Sequence, residues 1–330
     1  MKTDLASVID SFSKHRVMII GDVMIDSYLW GKVERISPEA PVPVVTGTKE
    51  ENRLGGAANV ALNIQSLGAT PILCSVIGKD ESAKTFYNLL TIQKITNKGI
   101  IEDPDRITTV KTRVISQHQH LLRVDRETDK PLSTEMETKF INHILSVLAE
   151  NNINAIIFED YDKGSITPNV IKAVVDEANK KNIPTLVDPK KRNFGAYNNV
   201  TLFKPNFKEL IEGLKVEASK TDPKSLHDAA SSLHKNKGIS LVMITLSEAG
   251  VYISNSKEYK VIPAHIRDIS DVSGAGDTVI SVASLCLASG LDPFATAAIA
   301  NMAGGLVCEK IGVVPIEKDK LKEEVIGLAI

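Results

Sequence analysis

Short apolar runs that stop at glycine or aspartate alternate along this chain with longer stretches of helical period. Residues 17–20 form the first run and end in Gly21-Asp22, and residues 71–77 end at Gly78. Residues 155–158 and 185–187 follow, the second stopping at Asp188-Pro189. Runs this short, apolar at successive positions, are what strands covered on both faces look like. Leu241–Thr245 is another, and Val251–Ser254 is expected to pair nearby. Between the runs, residues 57–66 read as a helix opening directly after Gly55-Gly56. Residues 134–150 are amphipathic: Met136, Phe140, Ile144 and Leu148 recur at four-residue spacing, and Thr134 with Glu137 has the pattern of a capping box. Thr167-Pro168 caps a further helix with Val170, Ile171, Val174, Val175 and Ala178 on one face. Residues 274–289 and Pro293–Cys308 are the last strong helices.

This alternation predicts an α/β fold with a mostly parallel sheet and helices on both of its faces. Two stretches depart from it. Residues 28–46 and 107–125 carry short alternating patterns (Val42 and Val44, then Val110, Thr112 and Val114). They read as extra antiparallel strands standing off the main sheet as a small lid. No repeat, low-complexity tract or long linker divides the chain, so residues 1–330 read as one domain.

Composition narrows the class. The chain has 330 residues, 43% hydrophobic and 24% charged, a globular balance long enough for a substantial core. Basic and acidic residues number 39 and 41, net −2, which gives no reason to expect nucleic acid or a membrane surface as partner. A local basic pocket for a phosphorylated metabolite stays open. Cys74, Cys286 and Cys308 lie far apart in apolar stretches without metal-ligand spacing, and read as buried small hydrophobes in a reducing compartment. The N-terminus carries Asp4 and Asp10 and no signal-peptide core, and residues 295–308 are too short to span a bilayer. Cytoplasm is the expected location.

Three segments carry candidate chemistry. In Asp271-Val-Ser-Gly-Ala-Gly-Asp277, Gly274 and Gly276 let the backbone approach a ligand, and amides opening a helix face an anion. Asp277 in that first turn is poised to take a proton from a substrate hydroxyl while the amides stabilise a transferring phosphoryl group. The alternative is a glycine turn whose acidic residue merely suits the helix dipole. No Gly-Lys-Ser/Thr follows, so this is not a Walker loop. Arg53-Leu-Gly-Gly-Ala-Ala-Asn59 also opens a helix: Gly55 and Gly56 allow close approach, and Asn59 both donates and accepts. It is not G-x-G-x-x-G, so a dinucleotide fingerprint is unsupported. In Lys204-Pro-Asn206-Phe-Lys-Glu209, Asn206 and Glu209 share a face of a first helical turn. Their oxygens suit magnesium, directly or through water, although an exposed helix start would look the same.

Gly-Gly-x-x-Asn early, Asn-x-x-Glu in the middle and Gly-Ala-Gly-Asp late, in this order, resemble the ribokinase-like carbohydrate kinases of the phosphofructokinase B family. The likeness runs over residues 19–315. It implies a Rossmann-like sheet with a small β lid, sugar bound between them, and ATP with magnesium as the phosphoryl donor. It implies Asp277 as catalytic base and Gly274, Ala275 and Gly276 as the anion hole. Asp26 matches the aspartate that grips sugar hydroxyls, and Asn206 and Glu209 match the magnesium motif. On the nucleotide side it implies Lys204, Asn206, Thr245, Gly250 (in Thr-Leu-Ser-Glu-Ala-Gly) and Asn301 near the adenine. Asp271 stands where some relatives bind a monovalent cation. Lid-mediated dimers in relatives imply a homodimer here.

Finer likeness concerns the sugar. Gly21-Asp-Val-Met-Ile-Asp26-Ser-Tyr, Ile36-Ser-Pro-Glu-Ala-Pro-Val-Pro-Val44, Asp160-Tyr-Asp-Lys163-Gly164 and Asp188-Pro-Lys190 resemble the kinase half of the heptose-phosphate kinase/ADP-heptose synthase group. That group phosphorylates D-glycero-D-manno-heptose 7-phosphate at its anomeric hydroxyl, on the route to lipopolysaccharide heptose. A phosphosugar needs fixed cations. Lys163 and Lys190 are the first candidates because each follows a strand's carboxyl end, with Arg113 and Arg123 beside them; each could equally be a solvated surface charge. Glu159 and Asp162 depart from the group's pattern, which has Ser and Gly there, and their charge is expected to oppose a phosphate. The His-x-Gly-His signature of a nucleotidyltransferase domain does not occur. The competing readings are a kinase for a neutral sugar or nucleoside, a non-catalytic sugar-binding regulator, and a nicotinamide-dependent oxidoreductase.

Overall fold

Residues 4–117, 119–265, 267–310 and 312–327 are described by a computed structural model. In its first strand, β1 (Arg16–Gly21), Val17 and Ile19 enter one apolar cluster while Met18 and Ile20 enter another. Side chains on a strand alternate between faces, so a run apolar at every position fills two cores at once. The same division recurs in Ala155 and Ile157 against Ile156 and Phe158, and in Leu241 and Met243 against Val242 and Ile244.

Among the described residues the larger sheet has nine strands: β1, β4 (Thr70–Gly78), β5 (Ile100–Asp103), β8 (Ala155–Glu159), β9 (Thr185–Asp188), β10 (Leu202–Phe203), β11 (Leu241–Thr245), β12 (Val251–Ser254) and β13 (Tyr259–Ile262). Their order is β13-β12-β11-β10-β9-β8-β1-β4-β5. All pairings from β5 to β11 are parallel; β12 and β13 add an antiparallel edge. Helices α1 (Leu5–Ser11), α2 (Ala57–Ser66), α3 (Glu81–Ile92), α8 (Ala275–Ala288), α9 (Pro293–Cys308) and α10 (Lys318–Ile326) cover one face. Helices α4 (Thr134–Glu150), α5 (Pro168–Lys180), α6 (Phe207–Leu214) and α7 (Pro223–Lys237) cover the other. The three cysteines are buried and free.

A second sheet stands apart: β2 (Val23–Ile36), β3 (Pro43–Gly56), β6 (Val110–Ser116) and β7 (Gln119–Arg126), in the order β3-β2-β6-β7. Its strands reach further than the alternating patterns, because β2 begins one residue after Asp22 and β3 runs into Gly56. The expectation of antiparallel strands is corrected at the centre, where β2 pairs with β6 in parallel. Parallel pairing follows from connectivity: β6 enters only after β4, α3 and β5 have been laid down on the main body.

One cap also differs. The side chain that caps α4 is Ser133, which accepts from the Met136 amide at 3.3 Å, so the expected Thr134–Glu137 box is absent. Glu137 instead reaches α5, accepting from Thr167 Oγ1 at 2.5 Å and Asn169 Nδ2 at 2.9 Å. Thr167 still caps α5 through the Val170 amide, an arrangement worth about 1 kcal/mol.

Candidate active site

The chain leaves the main sheet at Gly21, runs out along β2, returns along β3 and turns into α2. Gly56 closes that return with φ of +61°, and a Cβ there would stand 2.4 Å from the Asp22 carbonyl, so only glycine fits. Gly55 lies against Asp26: a Cβ would meet Asp26 Oδ2 at 2.2 Å. The buried Asp26 carboxylate accepts from Arg113 Nη1 at 2.5 Å. The guanidiniums of Arg113 and Arg53 both lie over the Tyr28 ring, at 5.4 and 4.9 Å. Arg123 faces Arg113 in the β6–β7 register and pairs with Asp125.

Across the junction, Gly274 caps α8 with φ of +81°, the left-handed turn that starts the helix. Ala275 and Gly276 follow it, and Ala275 N reaches the Val272 carbonyl at 3.3 Å. Asp277, 7% exposed, accepts from Asn59 Nδ2 at 2.6 Å on Oδ2 and from the Tyr161 hydroxyl at 3.1 Å on Oδ1. Burial pushes its carboxyl up to about 6, with Asp188 adding to the rise and the Asn59 and Tyr161 hydrogen bonds opposing it. A carboxyl poised there is ionised at neutral pH yet still basic enough to take a proton.

Beneath the turn, a Cβ on Gly276 would stand 3.6 Å from both Asp188 Oδ2 and Lys204 Nζ, which bond each other at 2.7 Å. Lys204 is buried, so the Gly274–Gly276 turn has a fixed cation beside it. Carboxylate oxygens of Glu159, Asp188 and Asp277 lie within 4.8 Å of one another. Burial, then Asp188 and Asp277, raise the Glu159 carboxyl well above its usual range, with Lys204 and Lys190 opposing the rise. Glu159 therefore stands with Asp188 and Asp277 in one buried carboxylate cluster.

The loop after β8 is anchored through Asp22, whose carboxylate accepts from the amides of Tyr161, Lys163 and Ser165 at 3.1, 2.9 and 3.0 Å. Asp162, the other departure, is answered by Arg192 Nε at 2.8 Å. Asp160 is buried against Asn193 and Tyr197. The two candidate lysines part company. Lys163 Nζ reaches Glu127 Oε1 at 2.8 Å, toward the lid. Lys190 Nζ bonds Glu209 and lies 5.9 Å from the Tyr161 ring, within the field of Asp188 and Glu159. Burial works against the Lys190 ammonium, but Asp188 and Glu209 hold it charged well above its usual range.

Asn206 and Glu209 form a reciprocal capping box at the start of α6: Glu209 N donates to Asn206 Oδ1 and Asn206 N to Glu209 Oε2, both at 2.8 Å. Each carboxylate oxygen keeps a free lone pair, so the donor set fits a hydrated hard cation. Thr245, ending β11, bridges to Asn206. Gly250 sits in the turn from β11 to β12, and Asn301 on α9 donates to the Pro263 carbonyl at 2.9 Å. Asp271 accepts from the Ser273 and Gly312 amides at 2.9 and 3.0 Å.

Sequence reasoning missed Tyr161, Glu159 and Asp188 as members of the centre, and Asp22 as the anchor of its loop. The signal available was position: each follows or ends a strand of the parallel sheet, where such sheets bind ligands. Arg113 and Lys204, read as ligand groups, are both already paired with aspartates.

Residues 14–319 match the pfkB family carbohydrate kinase family. The chain is 39% identical over 325 residues to the bifunctional protein HldE of Geotalea uraniireducens, covering 98% of this chain and 66% of that one. It is 39% identical over 314 residues to the bifunctional protein HldE of Campylobacter jejuni subsp. doylei, covering 94% and 65%. The chain thus spans under two thirds of these relatives' own length. In fold it is similar to phosphofructokinase-2 from Escherichia coli in complex with potassium (TM-score 0.75, 17% identity, 94% of this chain and 99% of that one). It is also similar to Arabidopsis thaliana ribokinase complexed with ribose and ATP (TM-score 0.70, 15% identity, 96% and 99%).

Proposed function

The chain belongs to the pfkB family of carbohydrate kinases, and on that premise we propose that its acceptor is D-glycero-D-manno-heptose 7-phosphate, phosphorylated at the anomeric hydroxyl to the 1,7-bisphosphate for ADP-heptose and lipopolysaccharide synthesis. The observation that carries kinase chemistry is Asp277, buried in the first turn of α8 just after the Gly274 cap and held through both carboxylate oxygens. Similarity to the HldE proteins over nearly the whole chain supports the heptose reading, together with the four segments named above.

In this reading Asp277 takes the proton of the acceptor hydroxyl as the oxygen attacks the γ-phosphorus of ATP, and ADP leaves. Amides of Gly274, Ala275 and Gly276 and the Lys204 ammonium stabilise charge on the transferring group. Asp26 and Asn59 position sugar hydroxyls, with Gly55 and Gly56 leaving the room. The family implies ATP with a divalent metal; Asn206 and Glu209 would hold magnesium through water, and the ion would supply charge neutralisation at the phosphates. Thr245, Gly250 and Asn301 line the nucleotide side, and a monovalent cation beside Asp271 belongs to the same proposal. A homodimer through the lid is supported by Leu122 and Val124, 57% and 51% exposed on one strand of the second sheet. No helix among the described residues is long and apolar enough to cross a membrane.

ATP consumption against a panel of sugars and sugar phosphates tests the reading. Heptose 7-phosphate should be turned over with the highest kcat/KM; preference for ribose, fructose or a nucleoside would overturn the substrate, and no turnover at all would overturn the activity. One observation favours a neutral sugar instead: the Lys163 charge is already answered by Glu127.

A further inference from the structure

That ion pair is one arm of a larger clamp. Glu127, just past the end of β7, accepts from Lys163 Nζ on Oε1 and from Lys111 Nζ on Oε2, each at 2.8 Å. Lys111 also reaches Asp125 at 3.0 Å. The Lys111, Lys163 and Glu127 side chains are 14%, 20% and 25% exposed, so the two ammoniums are partly stripped of water and require an anion.

Their origins place the clamp at the sugar end of the cleft. Lys111 lies opposite Asp26 in the β2–β6 register, two residues from Arg113, so it shares the Asp26 face of the lid. Lys163 belongs to the body, on the loop that Asp22 fixes through three amides. Lys163 borders a small hollow whose polar lining is Asp22, Arg106, Thr109 and Ser165 and whose apolar lining includes Val23 and Val76. Arg106, one of its lining residues, donates to the carbonyls of Lys163 and Lys130. Glu127 is thus a single carboxylate bridging a lid lysine and a body lysine, and the body lysine, Lys163, also borders the hollow.

We infer that Glu127 is a place-holder: in the free enzyme its carboxylate occupies the seat that Lys111 and Lys163 offer to the remote phosphate of a phosphorylated sugar. The inference rests on the phosphosugar reading above. A phosphate monoester carries nearly two charges and three acceptor oxygens, so it outcompetes one carboxylate for two ammoniums. Glu127 keeps the cations paired when the cleft is empty and swings away when the phosphate arrives. It also sets a threshold: a neutral sugar has nothing with which to displace it. Lys190, tied to Glu209, belongs to the metal and nucleotide side of the centre.

The test uses Lys111→Met and Glu127→Gln in the full chain, with a phosphorylated sugar and the same sugar without its phosphate. Lys111→Met should raise the ratio of phosphosugar KM to neutral-sugar KM by about 10–100-fold, the loss of one charge-assisted bond. Glu127→Gln should lower that ratio, on the order of fivefold, as the competing charge is removed. A second readout is calorimetry with inorganic phosphate, the nucleotide site filled by a non-hydrolysable ATP analogue with magnesium. Phosphate should bind Glu127→Gln more tightly than wild type, and Lys111→Met more weakly. If wild type prefers the phosphosugar but neither variant moves the ratio, the clamp is not the phosphate seat, while the phosphosugar reading stands. If Glu127→Gln raises the ratio, Glu127 aids the phosphosugar and the place-holder role is overturned. If wild type prefers the neutral sugar, the reading itself falls, and the clamp with it.

Discussion

Asn59 donates its side-chain amide to Asp277 across 2.6 Å, joining the helix that follows the lid to the helix that carries the glycine turn. Four residues on, Asn63 Oδ1 accepts from Thr278 and from the Ile316 amide, at 3.1 and 3.0 Å. The Gly-Gly-x-x-Asn and Gly-Ala-Gly-Asp segments are therefore one hydrogen-bonded seam. Asp277→Asn should keep the fold and ATP binding while kcat falls by about 10²–10⁴-fold, the usual contribution of a general base. Turnover near wild type in a folded variant would remove Asp277 from that role.

The acid limb of the pH–rate profile follows from the same carboxyl. As the proposed base Asp277 must be ionised, and its carboxyl is pushed up to about 6, so kcat/KM should fall below about pH 6. Tyr161→Phe removes one donor to the ionised form and should shift the limb to higher pH. Stability should move oppositely. A carboxyl raised on folding stabilises the protein when protonated, and that contribution is lost as pH rises through its folded value. Asp277→Asn should thus gain thermal stability relative to wild type at pH 8, and the gain should shrink toward pH 5. A pH-independent difference in Tm would contradict the raised carboxyl.

Glu209 has two attachments that one substitution separates. Gln also completes a capping box, so Glu209→Gln should preserve α6 while losing the charge that faces Lys190. The expected result is a higher magnesium requirement with little change in Tm or sugar KM. Asn206→Ala should instead cost about 1 kcal/mol of stability through the lost cap. A magnesium titration unchanged in Glu209→Gln would count against a metal role for this pair.

The main sheet was legible because its strands are apolar on both faces, a pattern that needs no knowledge of neighbours. Val17 to Ile20 and Leu241 to Ile244 read correctly for this reason. The glycine turns were legible too, since left-handed backbone restricts residue choice locally. The lid was harder. Its first five residues, Val23 to Ser27, are buried at the junction and do not alternate, so β2 could be read only from Tyr28 onward. The cap of α4 was displaced by one residue because Ser133 and Thr134 are equally able to cap. Glu159 was illegible in a deeper sense: a glutamate ending a strand reads as solvated. It is buried at the end of a central strand, between Gly21 and Asp188, and Asp188, Lys204 and Asp277 reach it from three later segments. Long-range electrostatics of this kind leave no trace in local pattern.

Gly55 offers a test of the junction without altering any charged group. Its backbone needs no left-handed conformation, so alanine is conformationally permitted. The obstacle is contact: the added Cβ would stand 2.2 Å from Asp26 Oδ2 and 3.0 Å from the Met24 side chain. Something must shift, and the Asp26 carboxylate is the mobile party, because Met24 is packed at 3% exposure. Rotating Asp26 away would break its 2.5 Å bond to Arg113 and misaim the group proposed to grip sugar hydroxyls. Gly55→Ala should therefore raise sugar KM by about tenfold or more, the scale of one charge-assisted hydrogen bond, and leave ATP KM nearly unchanged. Asp26→Asn should reproduce the sugar defect, and the double variant should be little worse than either single one, because both act on one contact. Full additivity, or a defect confined to ATP, would show that Gly55 serves the return of β3 into α2 and not the sugar.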